Sequence, residues 1–405
     1  MLSQDPIDNC LPRVRAHLRD LDAGEVPLRT TKVIVLGNGR VGKTQLCRRL
    51  RGLDYDDTVK STHGITIAST QFGDGETLNL WDFGGQDIYH GAHALFMRTR
   101  AIFVVAWHPD YETTPNHTHE GMTFENRPLA YWLAFVQAMG APASPVIVVQ
   151  CQVEDRKQLR TPPVDLELRK ALDPEIIAYS AHTQRGRGAL HDAIADAIER
   201  LRQRDGLASI GAGRARVVDR LMVWRTEDEP RPAAERRHRV IETEDFAALC
   251  AEAGGVSSPA MLLDYLHHCG LVYHDPNYFS GRVLLDITWA LDAIYSVFDR
   301  HTAWRHLQAT HGRFKRAQLA ATVWQAHGED EQRLFLRLMR SCGICFRHGG
   351  EHRSQGDDDE YIAPDLLPDE AAVAEHLAGR WDEDTLTRIL AHLIMTSSTP
   401  ASSAG

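Results

Sequence analysis

Between Lys32 and about Arg204 the chain alternates short apolar runs with longer stretches whose apolar residues recur at helical spacing. The strand candidates are "KVIVLG", "GITIASTQF", "TLNLWDF", "AIFVVAW", "PVIVVQ" and "EIIAYS"; the helix candidates begin at Lys43, "PLAYWLAFVQAMG" and "GALHDAIADAIERL". Such alternation predicts a mostly parallel sheet with helices on both faces. One pair departs from it: "GDG" between "ITIASTQF" and "ETLNLW" predicts an antiparallel hairpin. Upstream, Leu11, Val14, Leu18 and Leu21 form one helical stripe and predict a short lead-in helix. The segment "HPDYETTPNHTHEGMTFENR" is long for a loop in a compact α/β domain. Residues 205–214, "DGLASIGAGR", read as a linker, and 227–239 as a charged, exposed loop.

Past the linker the pattern is richer in helix, and it repeats. "LDYLHHCGLVYHD" and "LRLMRSCGICFRH" align at an offset of 73 positions, Leu263 on Leu336, Cys269 on Cys342, Gly270 on Gly343 and Tyr273 on Phe346. In each copy a helix stops at glycine, an apolar strand follows, and a turn-rich stretch leads to a second strand. A helix followed by a β-hairpin predicts two winged-helix-like units. The fold class is therefore an α/β phosphate-loop domain with a mixed, mostly parallel sheet, plus an α+β domain of two such units.

Composition narrows the function. The chain has 405 residues, 43% hydrophobic and 25% charged, the mix of a multi-domain globular protein. No apolar stretch is long enough to span a bilayer, the N-terminus lacks a signal pattern, and seven dispersed cysteines describe no disulfide framework. A cytoplasmic protein without a membrane partner is expected. Winged helices often bind DNA, but the net charge is −10, and from Phe246 to Asp286 the only Lys or Arg is Arg282. A nucleic-acid partner is not expected, since that affinity rests on neutralised phosphates. Cys342 and Cys345 lack a second CxxC pair and read as core residues, and His117, His119 and Asp110 as loop polar residues.

The chemistry is concentrated in "GNGRVGKT". Gly37, Asn38, Gly39, Arg40, Val41, Gly42, Lys43, Thr44 and the following Gln45 sit between a strand and a helix, the context in which glycines let backbone amides cradle phosphates. Lys43 is expected to reach the β/γ-phosphates and the Thr44 hydroxyl to ligate Mg²⁺. "LNLWDFGGQ" supplies the rest: Asp82 as the second metal tether, the Gly85 amide as γ-phosphate sensor and Gln86 to orient the attacking water. Thr62 in "STHGI" is the metal-binding threonine of a first switch segment. Arg98 and Arg100 are the candidates for an arginine finger, and each reads more simply as a solvated arginine.

"GNGRVGKT", "STHGI", "DFGGQDIYHGAHALFM" and "GLVYHDPNYFSGRVLLDITWALDAIYSVFDR" together resemble the Roc and COR modules of the Roco family, Ras-like GTPases joined to a C-terminal-of-Roc domain. The resemblance covers roughly residues 30–370. It implies GTP and GDP binding, slow hydrolysis with Mg²⁺, an intramolecular Roc–COR contact, and a homodimer or a protein effector as partner. The base-reading loop departs from the Asn-Lys-x-Asp pattern. "QCQVED" offers Gln152, Glu154 and Asp155, with either carboxylate placed to meet guanine, and "YSAHT" offers Ser180, Ala181 and His182. The expected organisation is a lead-in at 1–28, Roc at 29–204, COR-A at 205–370 and a tail at 371–405 with no room for a second COR half. The alternatives are a nucleotide-binding scaffold with little turnover and an ATPase.

Overall fold

The run Thr30–Leu36 is the pivot of the fold. Ile34 and Leu36 point into one apolar core and Val33 and Val35 into another, so this strand is buried on both faces. An unbroken aliphatic run suits that position in a parallel sheet. In a computed structural model of the chain, residues 11–27, 29–59, 64–85, 97, 101–119, 122–205, 209–228, 231–232, 235–274, 281–298, 307, 309–348 and 359–364 are described. The sheet has six strands. Their order is Ile65–Phe72, Glu76–Phe83, Thr30–Leu36, Ile102–Trp107, Val146–Gln150 and Glu175–Ala178. All neighbours pair in parallel except Ile65–Phe72 with Glu76–Phe83, the antiparallel hairpin that "GDG" turns. Helices Lys43–Leu50, Leu129–Met139 and Arg187–Asp205 form where their spacing predicts.

Downstream, two units share one element order, at the 73-residue offset as far as Tyr273 and Phe346, after which the final strand comes later in the second unit. Strand Val240–Glu242 precedes helices Thr243–Ala253 and Pro259–His268, a bridge at Tyr273 and strand Arg282–Leu284. Strand Arg313–Lys315 precedes helices Arg316–Ala320 and Glu329–Ser341 and strands Phe346–Arg347 and Glu360–Ile362. Cys269 and Cys342 cap their helices, and Gly270 and Gly343 both take φ 69°, the left-handed turn glycine adopts freely. Cys342 and Cys345 are buried free thiols.

The core joining the sheet to these units is continuous. Trp81 and Phe83 belong to the same apolar cluster as Trp289, Ile294, Tyr295 and Phe335, and helix Ile287–Tyr295 packs on strand Ile65–Phe72. Along this helix Trp289 and Tyr295 are buried and Asp292 is exposed, and Leu285 just before it is half-buried. At the junction the Lys32 ammonium lies 3.9 Å from the Trp81 ring centre, and burial lowers its pKa to about 7. Gly270 sits so close that a Cβ would come within 2.6 Å of Trp81.

Three segments differ from their sequence reading. The 205–214 stretch is not a free linker: Ser209–Gly211 pairs with Glu25–Pro27 and a helix starts at Ala212. Gly211 and Gly213 serve close packing, because a Cβ on Gly211 would overlap the Asp20 carbonyl and one on Gly213 that of Gly254. The described residues of 227–239 gather around buried Asp228, which accepts from the Arg237 and His238 amides and from Arg231. The lead-in helix Leu11–Asp22 docks through Ala16 and Asp20 and leaves Leu11, Val14 and Leu18 exposed.

Candidate functional site

Lys43 through Leu50 is helical, and the loop before it is shaped by three positive φ angles: Gly37 at 134°, Arg40 at 61° and Gly42 at 110°. At Gly37 a Cβ would overlap the Ala106 carbonyl of the adjacent strand, so only glycine fits. The Lys43 ammonium donates to the Gly37 and Asn38 carbonyls at 2.8 and 2.7 Å. Burial depresses its pKa to about 8, partly offset by Asp82, so at neutral pH it remains a cation. The Thr44 hydroxyl donates to Asp82 Oδ2 at 2.6 Å. That places two oxygen donors from different elements together, the hard-ligand set that suits Mg²⁺. Gly85 lies against the loop, where a Cβ would overlap Gly39 N and the Asn38 carbonyl carbon. The sequence motifs thus meet at one place, where Lys43 bonds the loop carbonyls, Thr44 bonds Asp82 and Gly85 lies against Asn38 and Gly39. Thr62, Gln86, Arg98, Arg100 and residues 371–405 lie outside the described residues.

The two loops expected to read the base also converge. Gln152, at φ 61°, donates its amide to the Arg40 and Val41 carbonyls at 3.3 and 3.4 Å, tying this loop to the phosphate loop. Asp155 is spent locally: it caps the turn Arg156–Gln158, accepting from the Lys157 amide, while the Gln158 side chain accepts from the Glu154 and Asp155 amides. Glu154 instead extends to His182, with Nδ1 and Oε1 3.0 Å apart, and Tyr55 meets the His182 ring edge-on. Ser180 is fully buried and accepts from the Thr183 amide, and the Ala181 carbonyl accepts from Arg49. The Gln45 amide is engaged with Asp56.

Sequence spacing missed several residues that hold the site. The Asn38 side chain bonds both backbone groups of Arg127, and the Tyr111 hydroxyl donates to the Gly39 carbonyl at 2.9 Å. Both partners come from the long segment after Trp107. That segment contains a helical turn, Asp110–Thr113, and a hairpin, Asn116–His119 with Met122–Glu125. Gln150 clamps the base loop through Gln158 and Arg160. No local motif marks these residues, because their partners are distant along the chain or lie within irregular turns.

A family model described as "Ras of Complex, Roc, domain of DAPkinase" matches residues 32–154, and one described as "C-terminal of Roc, COR-A domain" matches residues 225–367. The chain belongs to the Roco family. Its Roc part is the sheet domain and its COR-A part carries the repeated units. A Roc-COR-CHAT protease from Runella zeae is 24% identical over 91% of this chain, and the chain spans about 39% of that relative's length. The human Ras-related protein Rab-34 is 27% identical over 37% of this chain and 54% of its own length. The solved structure of Methanosarcina barkeri Roco2 RocCORdC bound to GDP superimposes with a TM-score of 0.62 at 21% identity, covering 85% of this chain and 98% of that one.

Proposed function

We propose that this Roc-COR protein is a guanine-nucleotide switch that hydrolyses GTP slowly to GDP and phosphate and passes its nucleotide state to COR-A. One observation carries the reading: the Lys43 ammonium, the Thr44 hydroxyl and the Asp82 carboxylate converge on a loop that turns through glycines at positive φ. Lys43 binds the β/γ-phosphates, loop amides hold their oxygens, and Gln86 orients water for in-line attack. Thr44, Asp82 and Thr62 would hold Mg²⁺, which would supply charge neutralisation at the phosphates. The Glu154 carboxylate, rather than Asp155, reads guanine, because Asp155 is occupied as a cap. The sequence spacing marks no intrinsic arginine finger, and without such a group, worth roughly 10³–10⁵, turnover is slow. The units of COR-A are winged-helix-like and serve protein contact, with a homodimer or an effector as partner. Roc occupies 29–204 and COR-A 205–370.

The departure at residues 151–155 supports a second reading, a scaffold that binds nucleotide and barely turns it over. Single-turnover hydrolysis with Mg²⁺ separates the two. Lys43→Ala and Gln86→Leu are each expected to slow the wild-type rate by at least about tenfold, and a wild type no faster than Lys43→Ala would sink the enzyme reading. GTP is expected to displace a fluorescent GDP analogue better than ATP; equal competition would point to an ATPase.

A further inference from the structure

The carbonyls of the phosphate loop have an unusual set of partners. Those of Gly37 and Asn38 accept from Lys43, those of Arg40 and Val41 from Gln152, and that of Gly39 from Tyr111. Four of these five bonds come from residues of the nucleotide site. The fifth comes from the segment that follows Trp107, a part of the chain with no place in the phosphate motif. Tyr111 is itself held. The neighbouring Glu112 carboxylate accepts from the Trp107 indole at 2.6 Å and the Leu129 amide at 2.9 Å, pinning both ends of the segment. A second tie, between the Asn38 side chain and the Arg127 backbone, fastens the same segment to the loop one residue earlier.

We infer that Tyr111 is a positioning residue for phosphoryl transfer, setting the Gly39–Arg40 peptide so that the Arg40 amide faces the β/γ-phosphates. In a planar trans peptide the carbonyl and the following N–H point in opposite directions. A hydroxyl that holds the Gly39 carbonyl on the Tyr111 side therefore turns the Arg40 N–H into the loop. Arg40 pays for this arrangement with a left-handed backbone, φ 61°, which a non-glycine residue adopts only when its surroundings fix it. Burial raises the Tyr111 pKa to about 12, so its phenol stays a donor across the working pH range. The transition state is loose, with charge moving toward the leaving β-phosphate. A donor set there is worth more to the transition state and to GDP than to ground-state GTP.

This inference rests on the GTPase reading above, and the test separates the two. Tyr111→Phe keeps the ring and removes only the hydroxyl. It is expected to lower single-turnover kcat and weaken GDP binding by about fivefold each, the worth of one hydrogen bond. Affinity for a non-hydrolysable GTP analogue should change less, and the thermal midpoint should stay at the wild-type value. Unchanged kcat and GDP affinity would overturn the assignment. So would an equal loss for GDP and the GTP analogue with a lowered midpoint, the mark of a merely structural role. Lys43→Ala measured alongside reports on the GTPase reading: if wild type hydrolyses no faster than that variant, hydrolysis fails as a function while GDP affinity still decides the role of Tyr111.

Discussion

At the scale of single residues the site is governed by what burial does to charge. Lys43 is buried beside Asp82, and desolvation brings its pKa from 10.5 to about 8. Bound phosphates favour the ammonium, so above pH 8 binding must take up a proton and affinity falls as pH rises. GDP binding is expected to be about tenfold weaker at pH 9 than at pH 7, measured by fluorescence titration. The slope should vanish in Lys43→Ala; a wild-type affinity flat across this range would refute the shift. Glycine explains the other tight positions. Gly37 and Gly85 touch neighbouring backbone where any Cβ would collide, which the motif spacing alone already marked.

At the scale of elements, the lead-in helix Leu11–Asp22 shows how a short segment is recruited. Its apolar stripe is turned outward, and the docking face is carried by a buried ion pair: Arg214 Nε donates to Asp20 Oδ2 at 2.6 Å and the Ser257 amide to Oδ1 at 2.7 Å. Burial pushes the Asp20 carboxyl up, but the Ser257 and Arg214 interactions outweigh it and the pKa ends lowered. Asp20→Ala leaves the Arg214 charge buried and is expected to cost about 3 kcal/mol, read by urea unfolding followed through tryptophan fluorescence. A loss under about 1 kcal/mol, the worth of an exposed pair, would show that the pair does not anchor the helix. Asp20 lies far from Arg214 in sequence, so no periodicity announced this contact. The antiparallel hairpin and the glycine-stopped helices were legible, because turn chemistry and helix termination are local.

At the scale of the whole molecule, the contact between Roc and COR-A runs through the start of strand Ile65–Phe72. The Gly84 amide donates to the Gly64 carbonyl at 2.6 Å, and Gly64 is pressed on Tyr295, whose ring any Cβ there would overlap. A second switch segment around Tyr89 and His93, also expected to contact residues 205–300, lies outside the described residues. Since Gly84 adjoins the expected γ-phosphate sensor, hydrogen exchange in helix Ile287–Tyr295 is expected to differ by at least about tenfold between GDP and GTP-analogue states, a coupling of about 1.4 kcal/mol. Protection changes confined to residues 30–200 would refute the coupling.

By itself the sequence determined the strand–loop–helix phosphate site, the sheet that carries it and the repeat in COR-A. Those features depend on residues close together in the chain: glycine spacing, apolar periodicity and helix stops act within a few turns. Only the tertiary structure decided which carboxylate of the base loop is spent as a cap, which side chains hold the loop carbonyls, and where COR-A meets Roc. Tyr111 and Gly39, Asp20 and Arg214, and Gly64 and Tyr295 are brought together by chain folding. A hydroxyl, a carboxylate or an aromatic ring carries no mark of a distant partner until packing supplies one.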